Sequence, residues 1–132
     1  MKPYPKSQVQ ENLLELPRLH DTPGYEVIEG DPRCSIRMDR GTPSAVSRMG
    51  IWMCTPGTFR CVEKGDELQT VIEGRLCITM EDGSSFEFGP GDSFYTEKGE
   101  RVIWKITETV QKVFFTYDVA QSSMEEHQGQ AQ

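Results

Sequence analysis

The stretch GTFRCVEKGDELQTVIEGRLCITMEDGSSFEFGPGDSFYTEKGERVIW, from Gly57 to Trp104, decides the fold. Short runs of β-branched and aromatic residues alternate here with turn residues: Gly65-Asp66, then Asp82-Gly83, then Gly89-Pro90-Gly91-Asp92. An Asp-Gly pair supplies the positive φ angles that a two-residue hairpin requires, so RLCITME and SSFEFG read as paired strands. The same rhythm continues outward. YEVIEG (25–30) and CSIRMDR (34–40) are separated by Gly30-Asp31-Pro32, SRMGIWMCT (47–55) closes at Pro56-Gly57, and VIWKITE and QKVFFTYDV complete the set. About ten short strands, spaced roughly 7–12 residues apart, are the pattern of a jelly roll.

A chain of 132 residues is long enough for one hydrophobic core and too short for two. With 36% apolar and 27% charged residues it has ordinary globular composition. The formal net charge of −7 argues against nucleic acid and against anionic membranes, both of which need clustered Lys and Arg. No apolar run approaches the ~20 residues of a membrane span. The N-terminal MKPYPKSQVQENLLELPRL lacks the apolar centre of a secretory signal, so the expectation is a soluble cytoplasmic protein.

Residues 1–24 read as an N-terminal arm in which Gln8 to Leu16 could make one or two helical turns before Pro17. Residues 25–119 form the barrel domain. The polar tail 120–132, AQSSMEEHQGQAQ, is expected to be disordered because it has too little apolar surface to offset its ordering entropy. Cys34, Cys54, Cys61 and Cys77 form no C-x-x-C pair and read as small buried thiols, reduced in the cytoplasm.

Strand alternation selects the candidate site. Glu67, Gln69 and Val71 share one face of their strand, Arg60 and Val62 share a face of the preceding one, and Val102, Trp104 and Ile106 share a face of a later one. If these strands face each other across a barrel, Arg60, Glu67, Gln69 and Trp104 surround one cavity. Trp52 and Tyr95 are further candidate ligand contacts, although most aromatic residues of such a chain belong to the core.

GIWMCTPGTFR, DELQTVIEG, FGPGD and KGERVIWKITETVQKVFF together resemble the cupins. Among them the chain is similar to the small single-domain group related to (S)-ureidoglycine aminohydrolase, over roughly residues 45–117. The resemblance implies an all-β, double-stranded β-helix (jelly-roll) barrel. The general cupin pattern has two histidines and a glutamate, then a glycine seven residues after that glutamate. A later turn precedes a third histidine. Glu67 and Gly74 match the end of the first motif, and Gly91 with Lys98-Gly99 match the turns of the second, with Glu97 where a proline is usual. The histidine positions, placed by this alignment, hold Arg60, Val62 and Val102, and the only histidines are His20 and His127. No metal and no other cofactor is therefore expected.

Two readings of Arg60 stay open: an internal ion pair with Glu67, or a clamp for an anionic ligand beside Glu67 as acid–base group. The expected function is binding of a small polar or anionic metabolite, with lyase, isomerase or aminohydrolase chemistry on it. The alternative is a non-catalytic ligand-sensing or accessory module. A homodimer is the expected assembly, since two-fold dimers are the commonest oligomers and the arm could cover a partner's sheet edge.

Overall fold

A computed structural model of the chain describes residues 1–118; the expected disorder of residues 120–132 lies outside the described residues. The strands are β1 (Leu14–Glu15), β2 (Tyr25–Gly30), β3 (Cys34–Arg40), β4 (Ser47–Cys54), β5 (Gly57–Val62), β6 (Asp66–Met80), β7 (Ser85–Phe88), β8 (Ser93–Thr96) and β9 (Arg101–Tyr117). All pairings are antiparallel within a single curled sheet. The order β1-β3-β4-β9-β5-β2 forms its path, and β6 joins it through β9 while also holding β7 and β8. An all-β jelly roll is the result.

The two longest strands organise the barrel. The first half of β9 lies between β5 and the end of β6, with Phe59 opposite Trp104 and Ile78 opposite Trp104. Its second half lies between β4 and the start of β6, with Trp52 opposite Lys112 and Glu67 opposite Thr116. ELQTVIEG and RLCITME are therefore one bent strand and not two. Gly74, with φ of +84°, sits where the β6–β9 register shifts three times. A Cβ there would lie 2.1 Å from the Thr109 carbonyl oxygen. Glycine thus bends the strand into a bulge without ending its pairing.

Side chains of alternate residues fill the interior. Phe59, Cys61, Val71, Leu76, Ile78, Val102, Trp104, Ile106 and Val110 form most of the core, with Cys34, Cys54 and Leu19. Trp104 is its aromatic hub. Its ring stacks on Phe59 at 6.2 Å and meets Trp52 and Phe94 edge-on at 5.6 and 5.8 Å. All four cysteines are free thiols; Cys34, Cys54 and Cys61 are buried, as expected from sequence, and Cys77 is half-buried.

The arm packs on its own barrel. Lys6–Gln8 form a single 3-10 turn, and Leu14 and Glu15 pair with Ile36 and Ser35 as β1. Val9 is almost fully buried, the Tyr4 hydroxyl donates to Asp39 at 2.7 Å, and Arg37 donates to the Glu11 carbonyl at 2.8 Å. No described helix is long and apolar enough to cross a membrane.

Candidate functional site

The start of β6, the second half of β9 and the chain just beyond β5 converge on a cavity of about 270 Å³. Its walls include Tyr25, Trp52, Phe59 and Trp104, and its polar groups include Glu63, Glu67, Lys112 and Thr116. Each polar group comes from inward alternation. On β9, Lys112, Phe114 and Thr116 follow one another at every second residue on the buried face. On β5 the inward set is Phe59 and Cys61, and Glu63 continues it one step past the strand. The turn at Gly99-Glu100 fixes Glu63, its N–H donating to the Glu100 carbonyl and its carbonyl accepting from Gly99, both at 2.9 Å.

Lys112 is the centre of the polar cluster. Its ammonium donates to Glu67 Oε2 at 3.2 Å and to Gln69 Oε1. It also lies 4.6 Å from the Trp52 ring centre and 4.7 Å from that of Trp104, so two indole faces bracket the charge. Thr116 donates to the other Glu67 oxygen at 2.6 Å, and Gln69 Nε2 donates to Thr96 at 3.1 Å. Both partners of the ammonium are therefore themselves held.

Glu63 is the less constrained carboxyl. One oxygen accepts from the Trp104 indole N–H at 3.1 Å. Burial, and then the neighbouring Glu67 charge, push its carboxyl up to about 7 against the opposing pull of Lys112 and the indole hydrogen bond. Near neutral pH both its protonated and its charged form are therefore populated. The adjacent Cys61 thiol is pushed well up, mainly by burial, and stays protonated.

The residues selected from sequence divide between the two faces of the sheet. Glu67, Trp52 and Trp104 line the cavity, and Gln69 lies buried behind it against Lys112. Arg60 does not. It points outward and pairs with Glu26 at 2.9 Å, so the Arg60–Glu67 pair does not form. Tyr95 is also on the outer face, beside Leu68 and exposed. The reason for the first correction is one residue of register. Because side chains alternate with period two, shifting the histidine positions by one replaces Arg60 and Val62 with Cys61 and Glu63, which do face inward. Val102, the third position, is buried in the core.

Sequence reading missed Glu63 and Lys112. Phe59 and Cys61, more apolar than Thr58 and Arg60, gave a usable signal for the inner face of β5. Lys112 gave none, because Val113 and Phe115 make the opposite face of β9 equally apolar.

The cavity does not fit a divalent transition metal. Such an ion takes three or four N, O or S donors, and the Glu67 carboxylate is already committed to the Lys112 ammonium and Thr116. Among the described residues no group of three His, Cys, Asp or Glu is arranged to hold one.

A family model for the EutQ-like cupin domain matches residues 41–114. Among solved structures, the EutQ protein of Clostridium difficile superposes with a TM-score of 0.59 at 19% identity, over 70% of this chain and 80% of that one. A protein of unknown function from Pseudomonas syringae pv. tomato, of the DUF861 family, gives a TM-score of 0.69 at 26% identity, over 82% of this chain and 45% of that one. A DUF861 protein from Thermotoga maritima gives 0.51 at 26% identity, over 62% of this chain and 99% of that one. No curated protein matches.

Proposed function

The chain belongs to the EutQ-like cupin domain family, and on that premise we propose that its cavity binds a small polar metabolite and that Glu63 carries the proton in the chemistry done there. One observation carries this reading. A carboxyl pushed up to about 7 and a firmly held ammonium face the same aromatic-walled cavity of about 270 Å³. Concave sites with a few convergent polar groups are where small molecules bind, and a carboxyl titrating near neutrality suits acid–base work.

Glu67 takes a different role from Glu63. Both of its oxygens are occupied, by Thr116 and Lys112, so it holds Lys112 in place. Trp52 and Trp104 are the walls against which the ligand stacks, and Gln69 supports Lys112 from behind. Arg60 is on the other face and clamps no anion in the cavity, whose lining holds both cations, Arg48, Lys64 and Lys112, and carboxyls, Glu63 and Glu67. The likeness to the ureidoglycine aminohydrolase group supports small nitrogenous or carbonyl compounds, with lyase, isomerase or aminohydrolase chemistry. Aminohydrolase turnover in that group uses a metal, which the donor set here does not suit. The full occupation of Glu67 also favours the alternative of a binding module without turnover.

We further propose a cytoplasmic homodimer. Its support is the outer-face row of Tyr95, Leu68 and Phe115, register neighbours on β8, β6 and β9 and all exposed. Light scattering showing only monomer at micromolar concentration would count against it.

The binding reading is tested by thermal shift with small amides, amines and hydroxy acids, since a ligand raises stability by mass action. A compound that stabilises the protein should lose its effect in Trp52→Ala. It should still bind Glu63→Gln but no longer be turned over. Equal stabilisation of wild type and Trp52→Ala would place binding elsewhere.

A further inference from the structure

The lysine at the centre of the barrel has more donors than the protein gives it acceptors. An ammonium has three N–H bonds. Two are taken, by Glu67 Oε2 and Gln69 Oε1, while the side chain lines the cavity. Both acceptors are oriented from behind, Glu67 by Thr116 and Gln69 by Thr96. Such an arrangement is the one that usually orients the ligands of a metal ion: a first ring of acceptors, each fixed by a second hydrogen bond. Here the ring surrounds a nitrogen cation. The Trp52 and Trp104 faces shield that positive charge, the Lys112 side chain being only 6% exposed.

From this geometry we propose that the Lys112 ammonium is the resident cation of the barrel, standing in for a bound metal and offering its remaining N–H to an oxygen of the molecule in the cavity. The proposal rests on the reading of the cavity as a binding site and names the ligand's chemistry. The ligand is a small carbonyl compound whose oxygen accepts from Lys112 while a neighbouring group exchanges a proton with Glu63. Stabilisation of the oxygen is then by a charged hydrogen bond and not by a Lewis acid. The same placement explains why the donor set does not fit a divalent ion. An incoming cation would have to share Glu67 with an ammonium 3.2 Å from its oxygen, and like charges that close repel. Removing the ammonium should free Glu67, Gln69 and Glu63 together.

The test is a titration of the full chain with Mn²⁺, followed by electron paramagnetic resonance. Wild type and Lys112→Arg should show no saturable binding. Lys112→Met and Lys112→Gln, with folding checked by near-ultraviolet circular dichroism, should bind about one ion per chain. Adding Glu67→Gln should abolish that binding. Wild-type protein that binds about one Mn²⁺ per chain, lost in Glu67→Gln, would overturn the proposal even if the Lys112 variants fail to fold. So would a folded Lys112→Met that takes up no ion. The ligand half is tested with acetamide while the Lys112 ¹⁵Nζ resonance is recorded. A saturable shift is expected. Saturable movement of the Trp52 and Trp104 indole signals with Lys112 unmoved would overturn oxygen binding at Lys112. Absence of any saturable change, with the Mn²⁺ results as expected, would count against the cavity as a carbonyl site and leave Lys112 as the cation.

Discussion

Two carboxylate–cation pairs occupy opposite faces of the same sheet. On the outer face Arg60 meets Glu26 at 2.9 Å, the side chains 51% and 67% exposed. On the inner face Lys112 meets Glu67 at 3.2 Å, the side chains 6% and 18% exposed. Distance alone would rank the outer pair first. Burial reverses the order, because water and salt screen the outer charges more than the inner ones, which lie against Gln69, Thr116 and two indoles. The inner pair is costly to form and more costly to break. A residue's chemistry is therefore set by the face it occupies.

The largest expected effect comes from breaking the inner pair on one side. Lys112→Met leaves the Glu67 carboxylate buried without its cation and should cost about 3–5 kcal/mol in urea denaturation. The double variant Lys112→Met with Glu67→Gln should recover much of that loss. Additive losses would show that the two side chains are not energetically coupled.

Next in size is Glu63, whose effect depends on pH. Its folded-state carboxyl titrates near 7, above the value of about 4.3 expected when unfolded, so folding takes up protons between these values. Glu63 therefore costs the fold nothing below about pH 4, and its full penalty applies above pH 7. Glu63→Gln should accordingly stabilise the protein at pH 8 by on the order of 3 kcal/mol, with the gain shrinking toward pH 4.5. A gain independent of pH would mean that the effect is one of packing.

The smallest effect belongs to the outer pair. Arg60→Met should change stability by less than about 1 kcal/mol and leave ligand binding untouched. Loss of binding in that variant would move the site to the outer face and dissolve the contrast.

The alternation of β-branched and aromatic residues with Gly-rich turns made the jelly roll legible, and β2 and β3 fall on YEVIEG and CSIRMDR. The bulge at Gly74 was not legible, because glycine marks turns and bulges alike and only the partner strand distinguishes them. Glu67, Trp52 and Trp104, selected from sequence, do line the cavity. Arg60 was misplaced because a slip of one residue reverses every side chain on a strand. Lys112 could not be found from its neighbours, since both faces of its segment are apolar. Its place depends on β4 and on the start of β6, where Gln69 and Glu67 lie 43 and 45 residues away in the chain.

The central claim is that Glu63 faces Glu67 and Lys112 across one cavity. The most direct measurement is the titration of its side-chain carboxyl by ¹³C NMR, in wild type and in Glu67→Gln. A midpoint near 7 is predicted for wild type, falling in Glu67→Gln as the neighbouring negative charge is removed. A midpoint near 4.3 in wild type, the value of an unburied glutamate, would contradict it.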